Sequence, residues 1–360
     1  MKLTLKIKLL PCEEQKEILL STMKESNSAC NSISEIAFSK HLFNQFKLHK
    51  ETYYLIKNNF NLSAQMAVRC IGKVTDSYKL DKKVKRTFKE LGSITYDSRI
   101  MTYKPNNIVS LWCVGGRQNF KFVCHNLNYL PYVQGEADLV YKKGKFYLFQ
   151  TVEVPEEEIK DIEDFIGCDF GQSDVCMLSD GTNFNSTQLK KVRKKYTKVR
   201  ASVQCKGTKG SKKLLKRLSG KESRFVSISN HTISKIIVTM AKEQSKCIAI
   251  EDLSNIRKTA KPKNKAMKTE LNRWSFYQLR QFLTYKAKLS GVKLVVIPPQ
   301  YTSKTCNNCY HIGDRNGKMF KCKNCNNIAD ADHNAAKNIA TWGQTVNFPE
   351  KSAMFCSLHY

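Results

Sequence analysis

Acidic residues are scarce in this 360-residue chain: 31 Asp and Glu stand against 61 Lys and Arg, for a formal net charge of +30. The excess runs along the whole length, which excludes a neutral protein with a basic tail. It points to a polyanionic partner, and phosphate backbones are the obvious one. Long apolar runs are also missing, so no segment is expected to span a bilayer, and no signal peptide is expected. A membrane surface is the rival polyanion, but neither feature supports it. No internal repeat is visible, which excludes a stacked-repeat architecture. The length suits a sizeable core and more than one domain.

Cysteine, in contrast, is plentiful, with fourteen residues. Ten of them, among them Cys30, Cys70, Cys168 and Cys247, sit singly and read as reduced core thiols, so a cytoplasmic chain is expected. The other four are paired by spacing. Cys306 and Cys309 form one CxxC turn, and Cys322 and Cys325 form another twelve residues later. Four thiolates at this spacing suit a tetrahedral, structural Zn²⁺ held across a small hairpin, with Gly313 and Asn316-Gly317 supplying the turn chemistry.

Along the chain, Lys2 to Leu10 alternates strictly, with Leu3, Leu5, Ile7 and Leu9 on one face and Lys2, Thr4, Lys6 and Lys8 on the other. That pattern predicts a half-buried strand with a basic outer face, stopped by Pro11. Residues 12 to about 90 carry the helical period, with Glu13 and Glu14 in a first turn and Ser63 starting a later helix. From about 91 to 154 short strands return, with turns expected at Gly115-Gly116, Gly135 and Lys143-Gly144. The acidic stretch 155–164 is the expected domain boundary.

Beyond the boundary, FIGCD and DVCML predict strands, the second followed by an Asp180-Gly181 turn. Lys190 to Arg224 carries fifteen Lys and Arg against one acid, Glu222. It reads as two helices around a loop at Gly207–Gly210. CIAIEDL is a buried strand, 255–270 a basic loop, 272–289 a helix bearing Trp274, Phe276, Tyr277 and Phe282, and VKLVVIPP a further strand. Asp169 and Glu251 each end an apolar strand, where a lone charge is costly unless paired or metal-bound. Asp332 stands at a helix start, where an N-cap is the plain reading. Strand–strand–strand, helix, strand, helix is compatible with an RNase H-like fold, which can set such carboxylates together. Hard oxygen ligands of this kind suit Mg²⁺ or Mn²⁺, and paired ions serve phosphodiester cleavage.

The ordered set GCDFG, then IAIEDL, then TSKTCxxC…CxxC…DADHNAA resembles TnpB, the transposon-encoded RNA-guided nuclease, and its type V CRISPR relatives. The resemblance is strong over about 160–342. The N-terminal half matches in layout only. The resemblance implies a multidomain α/β fold, in which an RNase H-like RuvC nuclease domain (165–301 and 327–342) has an inserted zinc ribbon (302–326). A β-rich wedge module (1–11 and 91–154) with a helical recognition insertion (12–90) would precede it, then a linker at 155–164. Residues 343–360 are expected to be a disordered tail. Carried over position by position, Asp169, Glu251 and Asp332 would be the three RuvC acids holding Mg²⁺ or Mn²⁺. Cys306, Cys309, Cys322 and Cys325 would hold structural Zn²⁺. Guide RNA and target DNA would be the partners, with no membrane. Monomer or dimer stays open, with the monomer favoured. Phe170 and Gln172 depart from the usual first motif, and neither change removes a ligand.

Blander readings stand beside these. Asp252 should face away from Glu251 by strand alternation. Asp330 reads as a helix cap or a brace of the ribbon, and His231 as a packed helical histidine. The basic run, with Lys190, Lys191, Arg193, Lys194, Lys195, Lys198 and Arg200, reads as a phosphate contact, against the alternative of a solvated helix face. The aromatics at 274–282 read as core or base-stacking groups. Tyr301 is undecided. The expected function is an RNA-guided, metal-dependent DNA endonuclease. A nuclease-derived DNA-binding repressor and an RNA-independent resolvase are the alternatives.

Overall fold

In a computed structural model, which describes residues 1–160, 162–262 and 264–347, the chain divides into two compact units after Pro155. The first unit is a seven-stranded antiparallel sheet with three helices inserted after its first strand. Strand β1 (Lys2–Leu9) alternates as expected: Leu5, Ile7 and Leu9 are buried, while Lys2, Thr4 and Lys6 are exposed. Helices α1 (Glu13–Ser39), α2 (Gln45–Asn59) and α3 (Ala64–Leu80) follow, and the Ser63 hydroxyl caps α3 by accepting from the Met66 N–H at 3.3 Å.

The helices stop at Leu80, short of the expected 90. Beyond Asp81 the chain is irregular and is tied back to α1: Asn27, Asn31 and Ser34 hydrogen-bond the carbonyls of Glu90, Phe88 and Arg86. Strands β2 (Ile94–Tyr96), β3 (Met101–Lys104), β4 (Ile108–Cys113), β5 (Gly116–Val123), β6 (Val133–Lys142) and β7 (Lys145–Glu153) complete the sheet, in the order β2-β6-β7-β1-β5-β4-β3. Lys143 and Gly144 form the two-residue turn between β6 and β7, both at positive φ. Gly135 is not a turn. It lies inside β6 at φ +74, where the register with β7 slips, so the glycine serves a strand irregularity.

The second unit is built on a five-stranded sheet of order β10-β9-β8-β11-β12. Strands β8 (Phe165–Asp169), β9 (Asp174–Leu178) and β10 (Asn183–Asn185) run antiparallel; β11 (Cys247–Glu251) and β12 (Leu294–Ile297) run parallel to β8. Between β10 and β11 lie three helices, α4 (Thr187–Cys205), α5 (Lys209–Leu218) and α6 (Lys221–Glu243). The expected two-helix reading missed the break at Gly220, whose φ of +79 starts α6 in a conformation glycine adopts freely. The expected loop 255–270 holds two short helices, α7 (Ile256–Thr259) and α8 (Lys265–Arg273). The expected helix 272–289 is α9 (Phe276–Leu289), and Trp274 falls in the joint before it.

A hairpin-like sheet of β13 (Asp314–Asn316), β14 (Met319–Lys321) and β15 (Ile328–Asp330) precedes the last helix, α10 (Ala331–Asn347). Residues 343–347 therefore belong to α10, with Gly343 buried, and are no part of a disordered tail; the rest of that expected tail, 348–360, lies outside the described residues. The acidic stretch after Pro155 is also not a free spacer. Glu157 pairs with Lys242 of α6 and Glu156 with Lys288 of α9. Not every single cysteine is core: Cys30, Cys70, Cys168 and Cys247 are buried free thiols, but Cys12, beside Pro11 before α1, and Cys205, at the end of a basic helix, are exposed.

Helix α10 lies close against the sheet because two glycines permit it. A Cβ on Gly167 of β8 would run into the carbonyl oxygen of Ala336, and one on Gly343 would meet Ala249 and Phe165. Gly167→Ala should therefore lower stability by about 1–3 kcal/mol or more, since backbone rather than a flexible side chain stands in the way. Thermal unfolding checks this; an unchanged midpoint would mean that α10 docks elsewhere.

Candidate functional site

Strand register places the first two acids. Cys168 pairs with Ile250, so one residue further on Asp169 and Glu251 stand beside each other on neighbouring parallel strands. Register partners face the same side of a sheet, and strands are about 4.8 Å apart. The third acid comes from α10. Asp330 Oδ1 accepts from the backbone N–H groups of Asp332 and His333, each at 3.0 Å, so Asp330 is the cap. Asp332 is thereby moved into the first helical turn, 8% exposed, instead of capping.

Asp169 senses both other acids. The Asp169 carboxyl is pushed up to about 8, first by burial and then by the charges of Glu251 and Asp332. Burial likewise raises Glu251, against a hydrogen bond from Thr302 that favours its charged form. Their spacing is looser than that of the cysteines. Among the described residues only Cys306, Cys309, Cys322 and Cys325 form a group of three or more metal-ligating side chains with all donor atoms within 4.8 Å.

Four further residues complete the carboxylate site, and none stood out in the sequence. The Thr302 hydroxyl donates to Glu251 Oε1. Arg315 of β13 donates from Nη2 to Asp332 Oδ1 at 2.6 Å. Lys318, in the turn after β13, pairs with the buried Asp174 at the start of β9. The hairpin thus brings one cation to Asp332 and a second to Asp174. The segment before the hairpin is in turn pinned to α10, where Asn338 Nδ2 donates to the carbonyls of Thr302 and Thr305 at 2.8 and 2.7 Å.

The four cysteine sulfurs lie close enough together to share one ion. Cys306 and Cys325 sulfurs are 3.6 Å apart and Cys309 and Cys322 sulfurs 3.5 Å apart. Zn–S bonds of 2.3 Å in a regular tetrahedron require about 3.8 Å. The backbone N–H of His311 leads the groups that pull the Cys309 thiol down, favouring the thiolate. Gly317, at φ +61, and Lys318 form the two-residue turn between β13 and β14, one position later than the Asn316-Gly317 turn expected. The four sulfurs could hold a structural zinc ion.

The remaining expected residues divide. Asp252 turns away from the site to pair with Arg280 at 2.7 Å, and His231 stacks on Phe282 with ring centroids 3.7 Å apart. In α4, Lys190, Lys191, Lys194, Lys195 and Lys198 are exposed. Arg193 and Arg200 are half-buried and engaged, Arg193 with the Arg273 carbonyl and Arg200 with Glu222. Phe276 is core, whereas Tyr277 is 58% exposed; Tyr301 is exposed too.

The electrostatics yield a testable outcome. An unfolded aspartate loses its proton near pH 4, while Asp169 in the native chain keeps it to about 8. Between these values the native state holds more protons, so stability falls as pH rises. Asp169→Asn, neutral throughout, should match wild type near pH 4 and exceed it near pH 8 by on the order of a few kcal/mol. Thermal unfolding in magnesium-free buffer without chelator measures this; a variant no more stable than wild type at pH 8 would contradict it.

Comparisons with known proteins agree with the ordered motifs. Residues 276–339 match the family model described as Cas12f1-like, TNB domain. The chain is 36% identical over 180 residues to a TnpB-like protein of Methanocaldococcus jannaschii, covering 48% of this chain and 65% of that relative. It is 31% identical over 220 residues to the CRISPR-associated endodeoxyribonuclease Cas12f1 of Sulfoacidibacillus thermotolerans, covering 55% and 50%. It is 29% identical over 222 residues to the putative RNA-guided DNA endonuclease InsQ of Escherichia coli, covering 56% and 55%. The matches thus span from half to just under two thirds of these relatives. A cryo-EM structure of a Cas12f1–sgRNA–target DNA complex has a chain of similar fold, with a TM-score of 0.60 and 16% identity, covering 91% of this chain and 83% of that one. No helix among the described residues is long and apolar enough to cross a membrane. The chain is thus an α/β protein with a Cas12f1-like TNB domain, related in sequence to TnpB-like proteins and Cas12f1 nucleases.

Proposed function

We propose that the protein is an RNA-guided, metal-dependent DNA endonuclease of a transposable element, and that its second unit is an RNase H-like RuvC nuclease with an inserted zinc ribbon. The observation that carries this reading is the meeting of Asp169, Glu251 and Asp332 at one end of the sheet, in a chain of net charge +30. The sheet order, three antiparallel strands followed by two parallel ones, supports the RNase H-like assignment. The first unit, a sheet with a helical insertion, is read as the wedge and recognition part.

The donor set fits a hard divalent ion. All three candidate ligands are carboxylates, and the raised Asp169 reflects burial first and then the charges of Glu251 and Asp332, a cost that a cation would relieve. When bound, Mg²⁺ or Mn²⁺ supplies Lewis-acid activation of water and of the scissile phosphodiester. Thr302 donates to Glu251 Oε1, so Oε2 would be the oxygen left to hold an ion. Arg315 holds Asp332 in place and sets a fixed positive charge where a phosphodiester would approach. The exposed lysines of α4 attract the backbone regardless of sequence, and base pairing with a guide RNA reads the target.

Sequencing RNA that copurifies with the protein tests the guided reading. A uniform RNA species with a fixed part and a variable end is expected. Protein that cuts DNA after complete RNA removal would instead favour the RNA-independent resolvase.

A further inference from the structure

The loop leaving β8 opens onto a cavity of about 400 Å³. Gly171 and Gln172 form one wall, two and three residues after Asp169. Each Cα step is about 3.8 Å, so the wall begins no more than about 7.6 Å from Asp169 along the backbone. The cavity's floor is apolar, made by Val175, Leu189, Phe276 and Leu279. Its rim is cationic, with Lys190, Arg193, Lys194, Lys198 and Arg273 against a single acid, Glu270. Arg193, Arg273, Trp274 and Ser275 also line an adjoining cavity of about 700 Å³, so these four form the waist of one trough.

Two features at the waist offer more than their packing in the fold uses. Arg193 Nη2 donates to the Arg273 carbonyl at 2.7 Å, and Arg273 Nη1 donates to Thr197 Oγ1 at 3.2 Å, yet among the described residues neither guanidinium has a carboxylate in an ion pair. The buried Arg193 Nε has no acceptor at all. Arg193 is half-buried and Arg273 exposed; burial first and then the Arg273 charge disfavour the charged Arg193, against Glu270, and an arriving anion would favour it. The second feature is Trp274, half-buried in the joint between α8 and α9, its ring tilted at 4.8 Å from Phe276. An indole at the waist of an apolar, cation-rimmed trough offers a flat surface for a flat ligand.

We propose that this trough seats one unpaired nucleotide of the DNA strand next to the bond that is cut, its phosphate between Arg193 and Arg273 and its base against Trp274. A nucleotide joins a planar apolar body to an anion, which matches floor and rim together. A base within a duplex has both faces stacked and cannot enter, so the occupant is single-stranded. The closeness of Gly171 to Asp169 selects the strand entering the carboxylate site. This inference rests on the proposed nuclease reading, and its test needs no cleavage.

The test is photo-crosslinking of a single-stranded oligodeoxynucleotide carrying 5-iododeoxyuridine to wild-type protein in magnesium-free buffer, with peptide mapping. The main adduct should fall on Trp274. In fluorescence anisotropy with labelled oligothymidylate, Trp274→Leu, which keeps apolar volume, should weaken binding about tenfold, within the range for lost base stacking. Arg193→Gln should reduce the slope of log K against log salt by about 0.7, as for one single-strand phosphate contact. If Trp274→Leu does not fold, the adduct site and the Arg193→Gln slope decide. Adducts confined to other peptides, an unchanged slope, or equal losses when oligouridylate is used and none with DNA would overturn the proposal. Binding here without any cleavage activity would leave the trough standing and overturn the nuclease reading; cleavage with no adduct at Trp274 would do the reverse.

Discussion

Asp169→Ala, Glu251→Ala and Asp332→Ala should each lower DNA cleavage by about 1,000-fold or more while leaving target binding within a few-fold of wild type. The three residues stand at the C-terminal ends of β8 and β11 and in the first turn of α10, and are proposed to hold the catalytic ion. Loss of a ligand removes several kcal/mol of transition-state stabilisation, and each 1.36 kcal/mol is tenfold in rate. Affinity, by contrast, is expected to come from backbone contacts elsewhere on a strongly basic chain. Single-turnover cleavage and a gel-shift titration on the same preparations separate the two. Asp330→Ala and Asp252→Ala serve as controls: Asp330 caps α10 and Asp252 pairs with Arg280, so neither should abolish cleavage. Normal cleavage by Asp332→Ala with none by Asp330→Ala would show that the third acid is wrongly assigned.

Zinc removal should have the largest effect on structure. The segment from Cys306 to Cys325 has little core of its own: Phe320, the two buried cysteines and Ala331 form its cluster. A site of four thiolates binds Zn²⁺ with about 10–16 kcal/mol at neutral pH, and that binding energy is folding energy for so small a module. Elemental analysis should find one zinc per chain, and Cys306→Ser or Cys322→Ser should lose it. Protons compete for thiolates, so release should become easier as pH falls. Because the hairpin carries Arg315 to Asp332 and Lys318 to Asp174, the stripped protein should also lose cleavage. Freshly prepared protein without zinc would refute this.

Much of the site was legible in the sequence because it is written in local signals. Apolar strands ending in Asp169 and Glu251, and paired CxxC turns, require no knowledge of the tertiary fold. Helix starts at Ser63 and after Asp330 were legible for the same reason, since caps are local chemistry. What could not be read depends on distant packing. Arg315 and Lys318 look like ordinary hairpin charges until β13 and the turn after it are laid beside α10 and β9. Thr302 is one polar residue among several until it lies under Glu251. The approach of α10 to the sheet, with Gly167 of β8 against Ala336 and Gly343 of α10 against Ala249 and Phe165, fixes where Asp332 stands and joins residues far apart in the sequence. The break at Gly220 was missed because the basic run has too few apolar residues to show a period. The seven-strand order of the first unit was equally hidden, since alternation names strands and not their neighbours.

The most direct test of the central claim is cleavage of one plasmid by the protein and its own RNA, with the variable end of that RNA rewritten to match or mismatch a chosen site in the presence of Mg²⁺. The account predicts a cut at the matched site only, displaced to a new site when the RNA is rewritten again, and none for Asp169→Ala. Cutting that ignores the RNA sequence, or that persists in Asp169→Ala, would contradict it.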